Sequence, residues 1–263
     1  MDFYVMAPKS VRNIHGILTK CLSTAVSVEY IRDNPASRVT LPRVEKKEIH
    51  PLTDEQVKDF LRVSAGDEYE ILLKVILFTG LRESEAIGLT WDCVDFKAGT
   101  VKVCKQLQKR PLSDGGFTFA PLKNDKTRTL RPAPFVLELL ERRKREQAEQ
   151  RLKAWELWVG WQTTDQQKSA LVFTTATGSN LSPQTVYNHY KKLASQIGAP
   201  DSRVHDLRHT FAVLSLQNGD DVKTVQGNLG HATAAFTLDV YGHVSERMKE
   251  DSAARMQEYI SNL

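Results

Sequence analysis

Four short stretches of this chain set reactive side chains at conformationally defined positions. The first is Thr79-Gly80-Leu81-Arg82-Glu83-Ser84-Glu85, directly after an apolar run. Gly80 allows a sharp turn after a buried helix and puts Arg82 at the start of the next one, beside free backbone N–H groups. A guanidinium there can present a planar fork to an anion, or it can simply be salt-bridged at the surface. The second stretch is His205-Asp206-Leu207-Arg208-His209-Thr210. Val204, Leu207, Phe211 and Leu214 form the buried stripe of a helix ending at Asn218-Gly219, and His205 and Arg208 share the neighbouring stripe. His205 and His209 also have the i, i+4 spacing of a zinc pair. Against that reading, Asp206 stands where a metalloprotease helix needs Glu, and no third ligand is evident.

The third stretch, Leu229-Gly230-His231, is followed ten residues later by Tyr241, with Thr233–Val240 able to form a short helix between them. A half-buried core tyrosine is the plainer reading. The fourth, Lys123-Asn124-Asp125-Lys126-Thr127-Arg128, lies on a basic hairpin that could be merely solvated. Their co-occurrence is what matters. Cationic and proton-donating groups gathered around one phenol describe a phosphate site with a nucleophile and without a metal.

The elements that must position these groups are legible from pattern. Between Val11 and Tyr30, Ile14, Ile17, Leu18, Cys21, Leu22 and Ala25 make one apolar stripe on a helix. The breaker-rich, basic stretch from Asn34-Pro35 to Pro51 then reads as a tether. A lone amphipathic helix cannot bury its own stripe, so either it packs on the following domain or the rest of its own domain lies elsewhere; the second reading is favoured. Thr53-Asp54-Glu55-Gln56 is a capping box that opens a second domain, giving a division into residues 1–48 and 49–263. Ile71–Phe78 reads as a buried helix stopped at Gly80, and a further helix starts near Arg82. From Trp91 to Pro132 the period changes to that of three short antiparallel strands, near Val94, Val101 and Leu130, the last two joined by a long hairpin. Helix returns after Pro134, with Glu138–Ala154 as a solvated face, followed by a Trp-rich loop, a short strand near Val172, and helices through Ser245–Leu263. The expected class is mainly α with a small three-stranded antiparallel β-sheet.

Composition excludes several classes. Hydrophobic residues at 41% and charged residues at 26% fit a globular chain and rule out wholesale disorder. No apolar run approaches a membrane span, and the first residues do not read as a secretory signal. Three scattered cysteines, Cys21, Cys93 and Cys104, fit a reducing cytoplasm. A net charge of +4 permits a polyanionic partner. Locally the bias is stronger: Lys105 to Arg131 holds seven Lys/Arg against two Asp.

The order Arg, Lys, His-x-x-Arg, Gly-His, Tyr resembles the tyrosine recombinase (phage integrase) family, carried by TGLRESE, HDLRHT, LGH and the tyrosine ten residues on. The resemblance implies that Arg82, Lys123, His205, Arg208 and His231 are the basic catalytic residues, Tyr241 the nucleophile, and Glu85 the acid that buttresses Arg82. The loop is one residue shorter than the family's usual spacing, which leaves Lys126 as the alternative to Lys123. It further implies strand exchange between two specific sites on double-stranded DNA through a 3′-phosphotyrosyl link, with no metal, ATP or other cofactor. A homotetramer on DNA, monomeric in solution, is also implied. Lys105, Lys109, Arg110, Lys126 and Arg128 are the expected DNA contacts. Full-length relatives carry a helical core-binding domain before the catalytic one. Only its last helix and linker are recognisable here, so weak DNA binding and poor recombination are expected. A regulator without recombination activity, or a topoisomerase IB-like nicking-closing enzyme, are the alternative readings.

Overall fold

A computed structural model describes residues 6–44, 50–111, 113, 116–122, 126–231, 253–254 and 256–262. The chain divides into two compact units, Met1–Glu48 and Ile49–Leu263. The first is built on α1 (Pro8–Ser27), with proline in its first turn, where a missing N–H is no loss. None of its residues is buried, and Ile14, Ile17 and Leu18 of the predicted stripe are exposed. The stretch read as a tether begins as a fold-back against α1. The Asn34 amide donates to the Thr19 carbonyl and the Ser23 hydroxyl and accepts from the Ala36 N–H, which holds a short 3-10 turn at Pro35–Arg38 beside α1. Arg12 donates to the Pro42 carbonyl at 2.8 Å, extending that fold-back.

The second unit opens with the predicted capping box. Thr53 Oγ1 accepts from the Gln56 N–H, and Gln56 Oε1 from the Thr53 N–H, which launches α2 (Asp54–Val63). Next come α3 (Glu70–Thr79) and the short α4 (Glu83–Ile87). After the strands follow α5 (Pro134–Ala154), α6 (Thr164–Lys168), α7 (Pro183–Gln196), α8 (Val204–Gln217) and α9 (Val222–Leu229). The almost wholly buried α3 forms the centre and packs against α4, α5 and α8. Lys74 interrupts its apolar run without breaking it, because Glu70, one turn earlier, pairs with it at 2.6 Å and also binds Arg142 at 2.9 Å. A buried lysine is tolerable only with such a partner.

Strands β1 (Val94–Asp95), β2 (Thr100–Val103) and β5 (Arg128–Leu130) make the expected three-stranded antiparallel sheet, in the order β1-β2-β5. The register sets Val101 opposite Leu130 and Val103 opposite Arg128. Two features depart from the sequence reading. Within the long connection, β3 (Gln106–Lys109) and β4 (Phe117–Ala120) form a separate two-stranded ribbon. Near Val172 there is an isolated bridge, Thr90 to Leu171, in place of a strand. The Gln147 amide takes the Leu171 carbonyl at 2.9 Å and Arg143 Nε the Val172 carbonyl at 3.0 Å, side-chain bonds occupying acceptors a neighbouring strand would use. Gln147 and Arg143 therefore lie buried on α5, within the segment read as a solvated face. No helix among the described residues is long and apolar enough to cross a membrane. The short helix expected at Thr233–Val240 and most of the one at Ser245–Leu263 lie outside the described residues.

Candidate active site

Two left-handed glycines end two helices against each other. Gly80 caps α3 with φ +66, and Gly230 caps α9 with φ +65. Any β-carbon at Gly80 would sit 2.5 Å from Phe211 Cδ1 and 2.7 Å from Leu229 Cδ2, so only glycine lets α3 terminate this close to α8 and α9. Backbone carbonyls left open at the two helix ends are brought into one region.

Three arginines from three elements fill those acceptors. Arg208, on α8 and 1% exposed, donates through Nη1 to the Gly80 carbonyl and through Nη2 to the Leu229 carbonyl, both at 2.6 Å. Arg128 Nε donates to the Asn228 carbonyl at 2.7 Å, and Arg82 Nη2 reaches the Gly230 carbonyl at 3.5 Å. Consecutive carbonyls at the C-terminus of α9 thus each meet a different guanidinium, at the end where the helix dipole favours positive charge.

Glu85, in the first turn of α4, joins two of these arginines. Its carboxylate accepts from Arg82 Nη1 at 2.6 Å and from the Arg82 backbone N–H at 2.9 Å. Arg128 grips both oxygens, Nη1 to Oε1 at 3.1 Å and Nη2 to Oε2 at 2.6 Å. Burial works to raise the Glu85 carboxyl, but the hydrogen bonds and charges of Arg128 and Arg82 outweigh it and hold it at about 2.

Three histidines surround this cluster. His205 and His209, one turn apart on α8, stack edge to face with centroids 4.7 Å apart. His231 follows Gly230, its backbone N–H bonded to the Gln226 carbonyl at 3.1 Å. All three titrate below an ordinary histidine. Desolvation leads in each case; the Arg208 and Arg82 charges then act on His231, which falls to about 3. His205 adds to the effect on His209, which falls to about 4. For His205, the most open of the three, Arg208 is the next cause and Arg82 a smaller one. His205 and His231, remote in sequence, therefore both lie in the field of Arg82 and Arg208. At neutral pH they are uncharged imidazoles, able to accept a proton at one nitrogen and donate one at the other.

Of the residues singled out from sequence, Arg82, Glu85, His205, Arg208 and His231 come together here. Lys123 and Tyr241 lie outside the described residues. Lys109, Arg110 and Lys126 are exposed, and Lys105 sits 4.6 Å from the Phe119 ring centre on the neighbouring strand. Arg128 departs from expectation: instead of reaching out from a solvated hairpin, it is locked onto Glu85 with only 9% of its side chain exposed. The signal that could have found it is strand alternation. Arg128 and Leu130 share a face of β5, Leu130 is core, and the pairing partners Val103 and Val101 are buried as well.

Comparison with known proteins identifies the family and the fold. The sequence profile of the phage integrase family matches residues 44–248. A XerC-like tyrosine recombinase of Caldanaerobacter subterraneus is 25% identical, covering 95% of this chain and 66% of its own length. The ICEBs1 integrase of Bacillus subtilis is 25% identical over 97% of this chain and 67% of its own length. The chain thus spans about two thirds of these relatives. Among solved structures, the Tn1549 transposon integrase in complex with transposon right end DNA superimposes with a TM-score of 0.76 at 22% identity, covering 97% of this chain and 80% of that one. XerA recombinase superimposes with a TM-score of 0.58 at 19% identity, covering 95% and 84%.

Proposed function

Because this chain belongs to the phage integrase family, we propose that it is a site-specific DNA recombinase that breaks and rejoins strands through a phosphotyrosine link. The observation that carries the reading is the convergence of Arg82 and Arg208 on the adjoining carbonyls of Gly230 and Leu229, next to His231. Residues 49–263 would be the catalytic domain, and residues 1–48 part of a helical core-binding unit with its linker. The exposed stripe of α1 supports the latter as a face meant for a partner element.

In the proposed reaction the Tyr241 hydroxyl attacks a backbone phosphorus. A phenol of pKa about 10 is roughly a thousandth ionised at pH 7, a deficit of about 4 kcal/mol. His205, held neutral, accepts its proton. Arg82, Arg208 and His231 hold the non-bridging oxygens as charge builds on them. The P–O5′ bond breaks, and Lys123, or Lys126 in its place, supplies the proton that the leaving 5′-oxygen needs. One ester replaces another, so the same steps in reverse let a 5′-hydroxyl of a partner strand displace the tyrosine. Double-stranded DNA is the proposed substrate, gripped in part by Lys105, Lys109, Arg110 and Lys126. A tetramer on DNA is the proposed working assembly.

Incubation with a nicked half-site, in which the freed 5′ fragment diffuses away, tests this. A covalent protein–DNA adduct that vanishes in Tyr241→Phe is expected; no adduct from the unsubstituted chain overturns the reading. A two-site exchange assay then separates recombination from simple nicking and closing.

A further inference from the structure

We propose that Arg128 is a positioning residue: by gripping both oxygens of Glu85 it keeps Arg82 turned toward the reacting phosphate instead of collapsed onto its counter-ion. The inference rests on the reading of Arg82 as a phosphate-holding group and deepens it.

The geometry distributes donors evenly over the carboxylate. Oε1 receives Arg82 Nη1 and Arg128 Nη1; Oε2 receives the Arg82 backbone N–H and Arg128 Nη2. A carboxylate offers about four acceptor sites, so Glu85 has no capacity left with which to draw in the rest of the Arg82 guanidinium. Exposure differs along the chain of contacts. The side chain of Glu85 is 1% exposed, that of Arg128 9%, and that of Arg82 24%, so the arginine open to a ligand is the one bound to Glu85 through a single side-chain contact. Charge follows the same logic. Two guanidiniums share one carboxylate and leave the group cationic, whereas Arg82 and Glu85 alone would cancel. Arg128 is itself fixed from three directions: by its register opposite Val103, by its bond to the Asn228 carbonyl, and by Gly230, where a β-carbon would come within 3.0 Å of Nη1.

A double-mutant cycle on the nicked half-site reaction, with the full chain at saturating DNA, tests the role. Arg128→Met is expected to slow adduct formation by about 10²-fold, as for loss of one transition-state donor. In a Glu85→Gln background the same change is expected to cost less than about threefold, since the neutral amide no longer competes for Arg82. Equal losses in both backgrounds, or no loss in either, overturn the proposal. Should Arg128→Met fail to fold by its urea midpoint, Arg128→Lys keeps the charge and gives up the fork. It is expected to react about tenfold slower, a drop between those of the unsubstituted and Met side chains, and an unchanged rate overturns the need for a two-pronged grip. An unsubstituted chain that forms no adduct takes down the recombinase reading and this inference with it, whereas a competent chain indifferent to Arg128 takes down this inference alone.

Discussion

Arg208 Nη2 lies 2.6 Å from the carbonyl oxygen of Leu229, while its Nη1 holds the Gly80 carbonyl at the same distance. One buried guanidinium thereby ties the ends of α3 and α9 together and draws Arg82 and His231, the residues that follow those ends, into one place. Arg208→Ala is expected to lower adduct formation on the nicked half-site by about 10²–10³. Stability is expected to fall by about 1–3 kcal/mol as two carbonyls lose their donor. Half-site trapping and urea titration measure the two effects separately, and a stable but inactive variant would show that Arg208 serves only the chemistry.

Gly80 is required twice, once by its positive φ and once by the contact with Phe211. Gly80→Ala is expected to destabilise by at least about 1–2 kcal/mol, the cost of placing a β-carbon in the left-handed region. Adding Phe211→Leu should recover the part due to overlap with that ring and leave the part due to φ and to Leu229. Full recovery would assign the whole cost to crowding.

Acid should weaken the fold in two stages. Histidines with folded values of about 3 and 4, against 6.5 when free, leave stability intact above pH 6.5. Stability is lost as pH falls below that, because the unfolded chain takes up protons first. Glu85, held at about 2 against 4.5, adds ion-pair stability that is full above pH 4.5 and is lost toward pH 2. Glu83, whose carboxyl burial raises to about 7 against 4.5, offsets part of the histidine loss by adding stability as pH falls from about 7 to 4.5. The urea midpoint should therefore decline below 6.5 less than the two histidines alone would give, and steepen below 4.5. His231→Gln should shrink the decline from 6.5 down to about 3 and leave the Glu85 part of the lower stage. A midpoint unchanged between pH 6.5 and 4.5 would contradict the neutral histidine cluster.

DNA binding should separate from chemistry at the β3–β4 ribbon. Lys109 and Arg110 are exposed there and lie away from the arginine cluster in sequence and in hydrogen bonding. Each alanine substitution should reduce the slope of log affinity against log salt by about one, while leaving the rate at saturating DNA unchanged. An unchanged slope would remove the ribbon from the DNA-contacting surface.

Much of the architecture follows from local rules. The Thr53–Gln56 capping box, the apolar run of α3, the stop at Gly80 and the β-branched strands are each determined within a few residues, and the structure shows them there. The β3–β4 ribbon is not legible in sequence, since Gln106–Lys109 and Phe117–Ala120 are only four residues each and sit within a long basic connection. The strand expected near Val172 is a bridge for a related reason: the side chains of Arg143 and Gln147, remote in sequence, take the Val172 and Leu171 carbonyls.

Residue types and their order along the chain were sufficient to nominate Arg82, Glu85, His205, Arg208 and His231, because helix starts, helix faces and glycine turns are short-range features. What Arg128 does was decided only by the tertiary fold. Alternation with Leu130 marks the inward face of β5, but nothing local says which carboxylate, more than forty positions away, Arg128 meets there. The difference is made by β-pairing with Val103 and by the packing of α4 and α9 around Glu85, and both are long-range. The downward shifts of the three histidines have the same origin, since desolvation and the field of distant guanidiniums exist only once separate helices have met.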